Sequence, residues 1–581
     1  MTGQEKKFSR RNILKGAGGL AAGGSLLGLG SAHARMRGEP RLPPGKVMKD
    51  KIDAYRGPLP NRPGAQPNDG YSVRRAADVF RRKLDAARRY LTTQPPPQET
   101  NGDEERYADY RASFTKTLPH DSRGRVDPAA YDSLLRAMRS GRPADFERIQ
   151  LDNTVRTRKL ANPQGAFVLP MSGGDGHAAR IKPPPSFTSD EMAAEMLELY
   201  WKSLLRDVPF TRLESDPLMR RALTDINSFP HIVGKPKRGL HTAQTLFRGE
   251  TPGDLVGPYI SQFLWYDVPY GSYTMPQRYP IAAQDTNFVT ESAEWLAVQR
   301  GAVPRSGVRG PERFISTPRD LGAFVHADFP YQTYLNAALI LLGMGPDVVA
   351  AGNPTNRQTT EGGFVSFGGP DILDLVALTA RASLCGAWYQ KWLVHRRLRP
   401  ENYGGRLQFQ AAGMDDYDLP RLLLETEALG RTRRQYGNVF LPQSYAEGAP
   451  THPSYPAGHA CIAGACTTML KAWFREDKVL SRPVVADETG HTLLPYSGTL
   501  TIGGELNKLA SNISLGRDWA GVHYRSDGID GMEMGEAMAI DILRDRSVLY
   551  NEQFDGFTLT TFAGQTIRIQ NGRVSGGRAG Y

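Results

Sequence analysis

A chain of 581 residues, 40% hydrophobic and 23% charged, has the balance of a globular protein able to bury one large core or two ordinary ones. Its 72 Lys and Arg outnumber 61 Asp and Glu, for a formal charge of +11, but the basic residues are dispersed rather than interleaved with aromatics in one run. That argues against a nucleic-acid groove and for small anionic ligands, which such a charge attracts. The three cysteines, Cys385, Cys461 and Cys466, lack zinc-ligand spacing and read as buried free thiols.

Ser9-Arg10-Arg11-Asn12-Ile13-Leu14-Lys15 opens a weakly hydrophobic, Gly/Ala-rich run, and Ala32-His33-Ala34 offers small residues for cleavage. Residues 1–34 resemble a twin-arginine export signal, which implies passage through the twin-arginine machinery to the periplasm or medium, with the mature chain starting near Arg35. No later stretch has the roughly 18 apolar residues that span a bilayer, so stable membrane insertion is not expected.

Residues 35–70, rich in Pro, Gly and charge, read as an extended arm, and 35–187 as that arm plus N-terminal helices at 71–91 and 127–140. Thr188-Ser189-Asp190-Glu191 is a capping-box pattern opening a helix through Arg206 and the first part of the body, 188–350. Helices are predicted at 214–226 and 253–265, an irregular stretch over 266–318, and one long helix from Asp320 to Leu342. A second long helix, Asp371 to Leu398, opens the main functional region, 351–548, and stops at Arg399 before Pro400. Shorter helices are predicted at 418–429, 457–474, 504–514 and 527–545. The tail, 549–581, alternates from Phe557 to Ile569 and reads as a hairpin turning at Ala563-Gly564. The chain is therefore mainly α, packed as helical bundles with a small C-terminal β-hairpin.

Three segments share one chemical character. Lys391 to Pro400 carries Lys391 and Arg399. His452-Pro453-Ser454-Tyr455-Pro456-Ala457-Gly458-His459 sets two histidines around a Pro/Gly turn. There Pro456 is expected to start a helix, with the amides of Ala457, Gly458 and His459 unpaired. Gly516 to Asp527 carries Arg517, His523 and Asp527. A tetrahedral oxyanion needs guanidinium forks, an ammonium charge, free helix-start amides and a histidine on each side of its central atom. Asp527, four residues after His523, can hold the second ring nitrogen of that histidine.

Lys-x7-Arg-Pro, Pro-Ala-Gly-His and Arg-x5-His-x3-Asp resemble the signature shared by vanadium-dependent haloperoxidases and type 2 phosphatidic acid phosphatases. The resemblance implies the helical-bundle fold of that superfamily and vanadate as cofactor. It implies that Lys391, Arg399, Arg517 and the amide of Gly458 hold the oxyanion, that His459 is the acid–base group and that His523 is the vanadium ligand. His452, seven residues before His459, and Trp388, three before Lys391, are similar to pocket positions of the algal bromoperoxidase branch. Gly521-Val522-His523-Tyr524-Arg525-Ser526-Asp527 is close to that branch's wording. The likeness covers 385–545 best and little of 35–187.

The implied partners are hydrogen peroxide, a halide (bromide or iodide) and an organic acceptor for the hypohalous product, and relatives imply a homo-oligomer. Two alternatives remain open at this point. An acid phosphatase would use His523 as nucleophile, and a non-catalytic protein would only bind the oxyanion. One departure stands out: Ala457 lies where the family usually has a serine whose hydroxyl bonds the oxyanion, a loss of about 1.5–3 kcal/mol. Gln390 occupies a place where related enzymes tune halide choice. Arg396, Arg397 and Arg525 read as ion-pair or surface residues and His395 as a packed helix histidine. His241, His326 and His491 have no motif support.

Overall fold

The computed structural model describes residues 70–234, 239–303 and 309–577. The export signal read at 1–34 and the arm read at 35–70, residue 70 apart, lie outside them. The chain divides into two compact units, Met1–Arg89 and Tyr90–Tyr581. The first helix, α1 (Gly70–Thr92), runs across that division. All the later elements belong to the second unit.

After α2 (Pro128–Ser140), α3 (Asp190–Leu205) begins at Ser189, whose hydroxyl accepts from the amide of Met192 at 3.1 Å. Only this half of a capping box forms, because position N3 is Met192 and offers no carboxylate to reach back. Helices α4 (Pro217–Ser228) and α5 (Ser292–Gln299) come next. The expected helix at 253–265 is absent: Gly253 and Gly257 take left-handed φ values, and only a 3₁₀ turn forms at Gln262–Leu264. The stretch 266–318, read as irregular, holds four short strands in two antiparallel pairs besides α5.

The long helix expected from Asp320 to Leu342 is two, α6 (Pro318–Ala327) and α7 (Gln332–Gly343). The break falls at Asp328–Tyr331, where Pro330 lacks an amide hydrogen and pushes Phe329 out of the helical region. The second long helix also divides. Its α-helical part, α8 (Gly369–Tyr389), runs into a π turn at Gln390–His395 and stops at Arg396, which sits in the left-handed region at φ 43°. Then come α9 (Pro400–Ala411), α10 (Glu427–Tyr436), α11 (Gly458–Trp473), α12 (Ile502–Trp519) and α13 (Arg525–Ser547). The helix read at 418–429 is a single turn, Arg421–Leu424, ahead of α10.

Helix α11 lies at the centre and packs on α8, α12 and α13. Every residue from Ala460 to Trp473 is buried, as expected of a helix apolar on all sides. Its approach to α13 depends on glycine. A Cβ at Gly464 would lie 2.0 Å from the Met532 carbonyl oxygen, and one at Gly535 would lie 2.1 Å from that of Cys461. Cys461 and Cys466 are buried free thiols and Cys385 is half-buried. No helix of the described residues is long and apolar enough to cross a membrane. The C-terminal hairpin gains a third strand, giving an antiparallel order of Phe557–Thr560, Thr566–Gln570 and Arg573–Gly576. The fold is thus mainly α, with small strands at its C-terminus.

Candidate active site

The three segments meet where α11 begins. Lys391 comes from the π turn after α8, Arg399 from the N-cap of α9, and Arg517 from the last turn of α12. His523 lies in the short link between α12 and α13, and Asp527 in the first turn of α13.

The start of α11 differs from expectation in one respect. Pro456 is not the first helical residue: Ala457 is the N-cap and Gly458 the first residue of the helix. The Ala457 amide is not free, because it donates to the Asp527 carbonyl at 2.9 Å. The amides of Gly458, His459 and Ala460 are first-turn donors without an intrahelical acceptor. Ala457 is buried and supplies no side-chain cap, so no hydroxyl competes for those amides.

All three cations are buried. Lys391 Nζ donates to the carbonyls of Pro453 at 2.8 Å and Ser454 at 2.7 Å. Arg399 donates through Nη1 to His523 Nε2 at 2.8 Å and the Val522 carbonyl at 2.8 Å, through Nε to the His452 carbonyl at 2.9 Å, and through Nη2 to His452 Nδ1 at 2.9 Å. Arg517 Nη1 donates to the Val325 carbonyl at 2.6 Å, its guanidinium lies 5.5 Å from the Tyr445 ring centroid, and its buried Nε has no hydrogen-bond partner. Among the described residues, no carboxylate lies within 4.0 Å of the charged nitrogens of Lys391, Arg399 or Arg517. Burial, with Arg399 next, holds Lys391 well below the ordinary lysine range. Burial, with the neighbouring Arg517 adding to it, brings Arg399 down to about 9. Three buried basic side chains with no carboxylate in contact, Asp527 acting on Lys391 and Arg399 only from a distance, favour an anion among them.

His523 is fixed on both sides. Its Nδ1 lies 2.8 Å from Asp527 Oδ2. A guanidinium can only donate, so Nε2 accepts from Arg399 and the proton stands on Nδ1. Burial first, then Arg399, keeps this imidazole well below its usual range, and hence neutral with a lone pair on Nε2. For Asp527 burial alone acts upward, but Arg397, His523 and Ser454 hold the carboxyl well below the usual range. Arg397 Nη1 reaches Asp527 Oδ1 at 2.8 Å, the Ser454 hydroxyl donates to Oδ2, and the Tyr524 amide donates to Oδ2 at 3.1 Å.

His459 stands at the mouth, and its Nε2 donates to Asp328 Oδ1 at 2.9 Å. Asp328 is the carboxylate that the break between α6 and α7 brings to the site, and sequence reasoning missed it by reading one unbroken helix. The signal was Pro330, two residues on. The His452 ring lies against Trp388 with centroids 4.8 Å apart, and the Trp388 indole donates to the Ala161 carbonyl at 3.2 Å. A Cβ at Gly458 would lie 3.3 Å from Trp388, so the tryptophan also walls the start of α11.

Gln390 donates its amide to Gln98 at 2.9 Å and the Gly176 carbonyl at 3.2 Å. Arg396, Arg397 and Arg525 are buried ion-pair residues, on Glu104, on Glu195 with Asp527, and on Glu198 respectively, rather than surface ones. His395 packs edge-on to Tyr455 at 4.8 Å. His326 stacks on Tyr445 at 3.9 Å and pairs with Glu447.

Comparison with known proteins establishes the family. The family described as the VCPO second helical-bundle domain matches residues 376–551. A vanadium-dependent bromoperoxidase of Corallina pilulifera is 33% identical, over 85% of this chain and 98% of its own. The chain belongs to the vanadium-dependent haloperoxidases. A second relative of this haloperoxidase, from Ascophyllum nodosum, is 34% identical over 85% of this chain and 92% of its own. The structure of a second vanadate-dependent bromoperoxidase of Ascophyllum nodosum, a homohexamer, superimposes with a TM-score of 0.83 at 29% identity. It covers 91% of this chain and 97% of that one. Membership sets the haloperoxidase reading above the phosphatase and the non-catalytic ones, and it makes vanadate the cofactor. The site fits that group: an oxyanion supplies the charge that Lys391, Arg399 and Arg517 lack, and the orphaned Nε of Arg517 is a donor in want of an acceptor.

Proposed function

We propose that this haloperoxidase oxidises bromide or iodide with hydrogen peroxide to hypohalous acid, which then halogenates organic acceptors. The observation that carries the reading is the set of three buried cations without carboxylate partners, gathered at the start of α11 opposite His523 Nε2. When bound, vanadate supplies a Lewis acid that activates peroxide toward a halide without itself changing oxidation state.

The chain's residues do the rest. His523 would hold the metal through its Nε2 lone pair, which now accepts from Arg399. Lys391, Arg399, Arg517 and the Gly458 amide spread the negative charge. His459, its Nε2 held by Asp328, exchanges the proton of peroxide through its other ring nitrogen. Trp388 and His452 wall the space in which the halide approaches. By analogy with the homohexameric relative, the chain assembles as a homo-oligomer, and the Ser9–Lys15 motif exports it through the twin-arginine route.

The experiment is halogenation of a phenol-red-type dye by the purified protein with peroxide and bromide or iodide, before and after adding vanadate. Activity that rises with vanadate is the expected result. No vanadate-dependent oxidation of any halide would falsify the reading.

A further inference from the structure

The turn that delivers Lys391 is not held by its own helix. Beyond Tyr389 the backbone leaves the α-helical register for a π turn, closed by the Arg396 amide donating to the Lys391 carbonyl at 3.0 Å. Lys391 lies inside this turn and its carbonyl is the acceptor that closes it, so the geometry of the turn sets where the Lys391 backbone stands. It ends on Arg396 at φ 43° and ψ 38°, a left-handed conformation that a residue with a Cβ adopts only when its surroundings impose it.

The residue that imposes it lies nearly three hundred positions earlier in the chain. The Arg396 guanidinium makes a two-pronged contact with Glu104, Nε to Oε2 at 2.6 Å and Nη2 to Oε1, while Nη1 donates back into the turn to the Trp392 carbonyl at 2.7 Å. The Arg396 carbonyl accepts from the Phe114 amide at 2.7 Å, and Ser113 bridges to Arg397. Glu104 sits on a single helical turn, Asp103–Arg106, and is itself held by the Tyr131 hydroxyl of α2 at 2.7 Å. Arg396 is buried, so its charge has to be met inside the protein. One carboxylate therefore pins both the charge and the strained backbone of the residue that closes the Lys391 turn.

We propose that Glu104 and Arg396 are a positioning pair for the oxyanion site: segment 103–131 locks the π turn so that Lys391 Nζ stays on the carbonyls of Pro453 and Ser454, facing the anion. Neither residue touches the anion. The inference rests on the assignment of Lys391 to the vanadate site. It gives the N-terminal helical segment a share in cofactor binding.

The test compares the parent, Glu104→Gln, and the double variant Glu104→Gln/Arg396→Gly, measuring the vanadate dissociation constant by equilibrium dialysis and the melting of the vanadate-free protein. Glu104→Gln strands the arginine charge and releases the turn, so vanadate binds at least fivefold more weakly. Glycine at 396 brings no charge to bury and adopts the left-handed region freely. The double variant therefore recovers affinity to within about threefold of the parent, a rescue that a merely structural role for Glu104 does not produce. Affinity in Glu104→Gln reduced less than fivefold, or a double variant binding no tighter than the single, overturns the proposal. Should Glu104→Gln not fold, the double variant decides alone: parent-like affinity supports the proposal and a tenfold loss overturns it. A parent that binds no vanadate sinks the vanadate reading and this inference together, whereas a parent that binds with an unaffected Glu104→Gln sinks this inference alone.

Discussion

Ala457→Ser restores the hydroxyl that this chain lacks at its anion site, and the structure says what that hydroxyl meets. Residue 457 is the N-cap of α11, at φ −68° and ψ 123°, the extended conformation in which a serine caps. It is buried, beside first-turn amides that have no intrahelical acceptor. A serine oxygen there accepts from one of those amides, and its proton stays available to the anion. The cap stabilises the protein by about 1 kcal/mol. The bond to a charged oxygen contributes about 1.5–3 kcal/mol. Because the cap also withdraws one amide from the anion, the lower end applies, about tenfold in the vanadate dissociation constant. The assay is a vanadate titration of both proteins together with melting of each without vanadate. A variant that melts higher but binds vanadate no tighter refutes the reasoning, since the hydroxyl would then serve the helix alone.

Asp328→Asn removes the charge facing His459 while leaving Lys391, Arg399 and Arg517 untouched. Steady-state kinetics should show turnover falling about tenfold or more, with the vanadate dissociation constant changed less than about threefold. An equal loss in both would place Asp328 in the anion cradle instead. Away from the site, burial first and Arg406 next push His120 down to about 3, and the ring is enclosed by Thr115 and the Leu118 carbonyl. The unfolded chain therefore binds the extra proton below its own value of about 6.5, and stability falls as the pH drops from there toward 3. His120→Gln should flatten that dependence by about 2 kcal/mol between pH 7 and 5, read as denaturant midpoints. An unchanged slope counts against a neutral buried His120.

Much of the site could be read from the chain because its signals are local. Lys391, Arg399, His452, Gly458, His459, Arg517, His523 and Asp527 stand in three short segments marked by Pro, Gly and fixed spacing, and the structure brings all three to the start of α11. The break before α7 was also legible, since Pro330 disfavours helix at Phe329 whatever surrounds it; apolar periodicity on both sides hid it, and Asp328 with it. The π turn had no such mark. The stretch from Asp371 to Leu398 carries a helical pattern throughout, and the pattern does not distinguish a hydrogen bond to i−4 from one to i−5.

By itself the sequence determined the mainly helical class, the apolar helix after Pro456 and the three cationic segments, while the resemblance to the family marked Ala457 as the place of a usual serine. These come from turn chemistry, periodicity and residue type, which act within a few neighbours. Tertiary structure alone decided that Asp328 holds His459, that Arg397 is shared between Glu195 and Asp527, and that Glu104 holds the turn carrying Lys391. Those pairings join residues separated by 131, 202 and 292 positions, or 130 from Arg397 to Asp527. Buried charge must be matched by whatever packing brings near, and no local pattern announces which carboxylate that is.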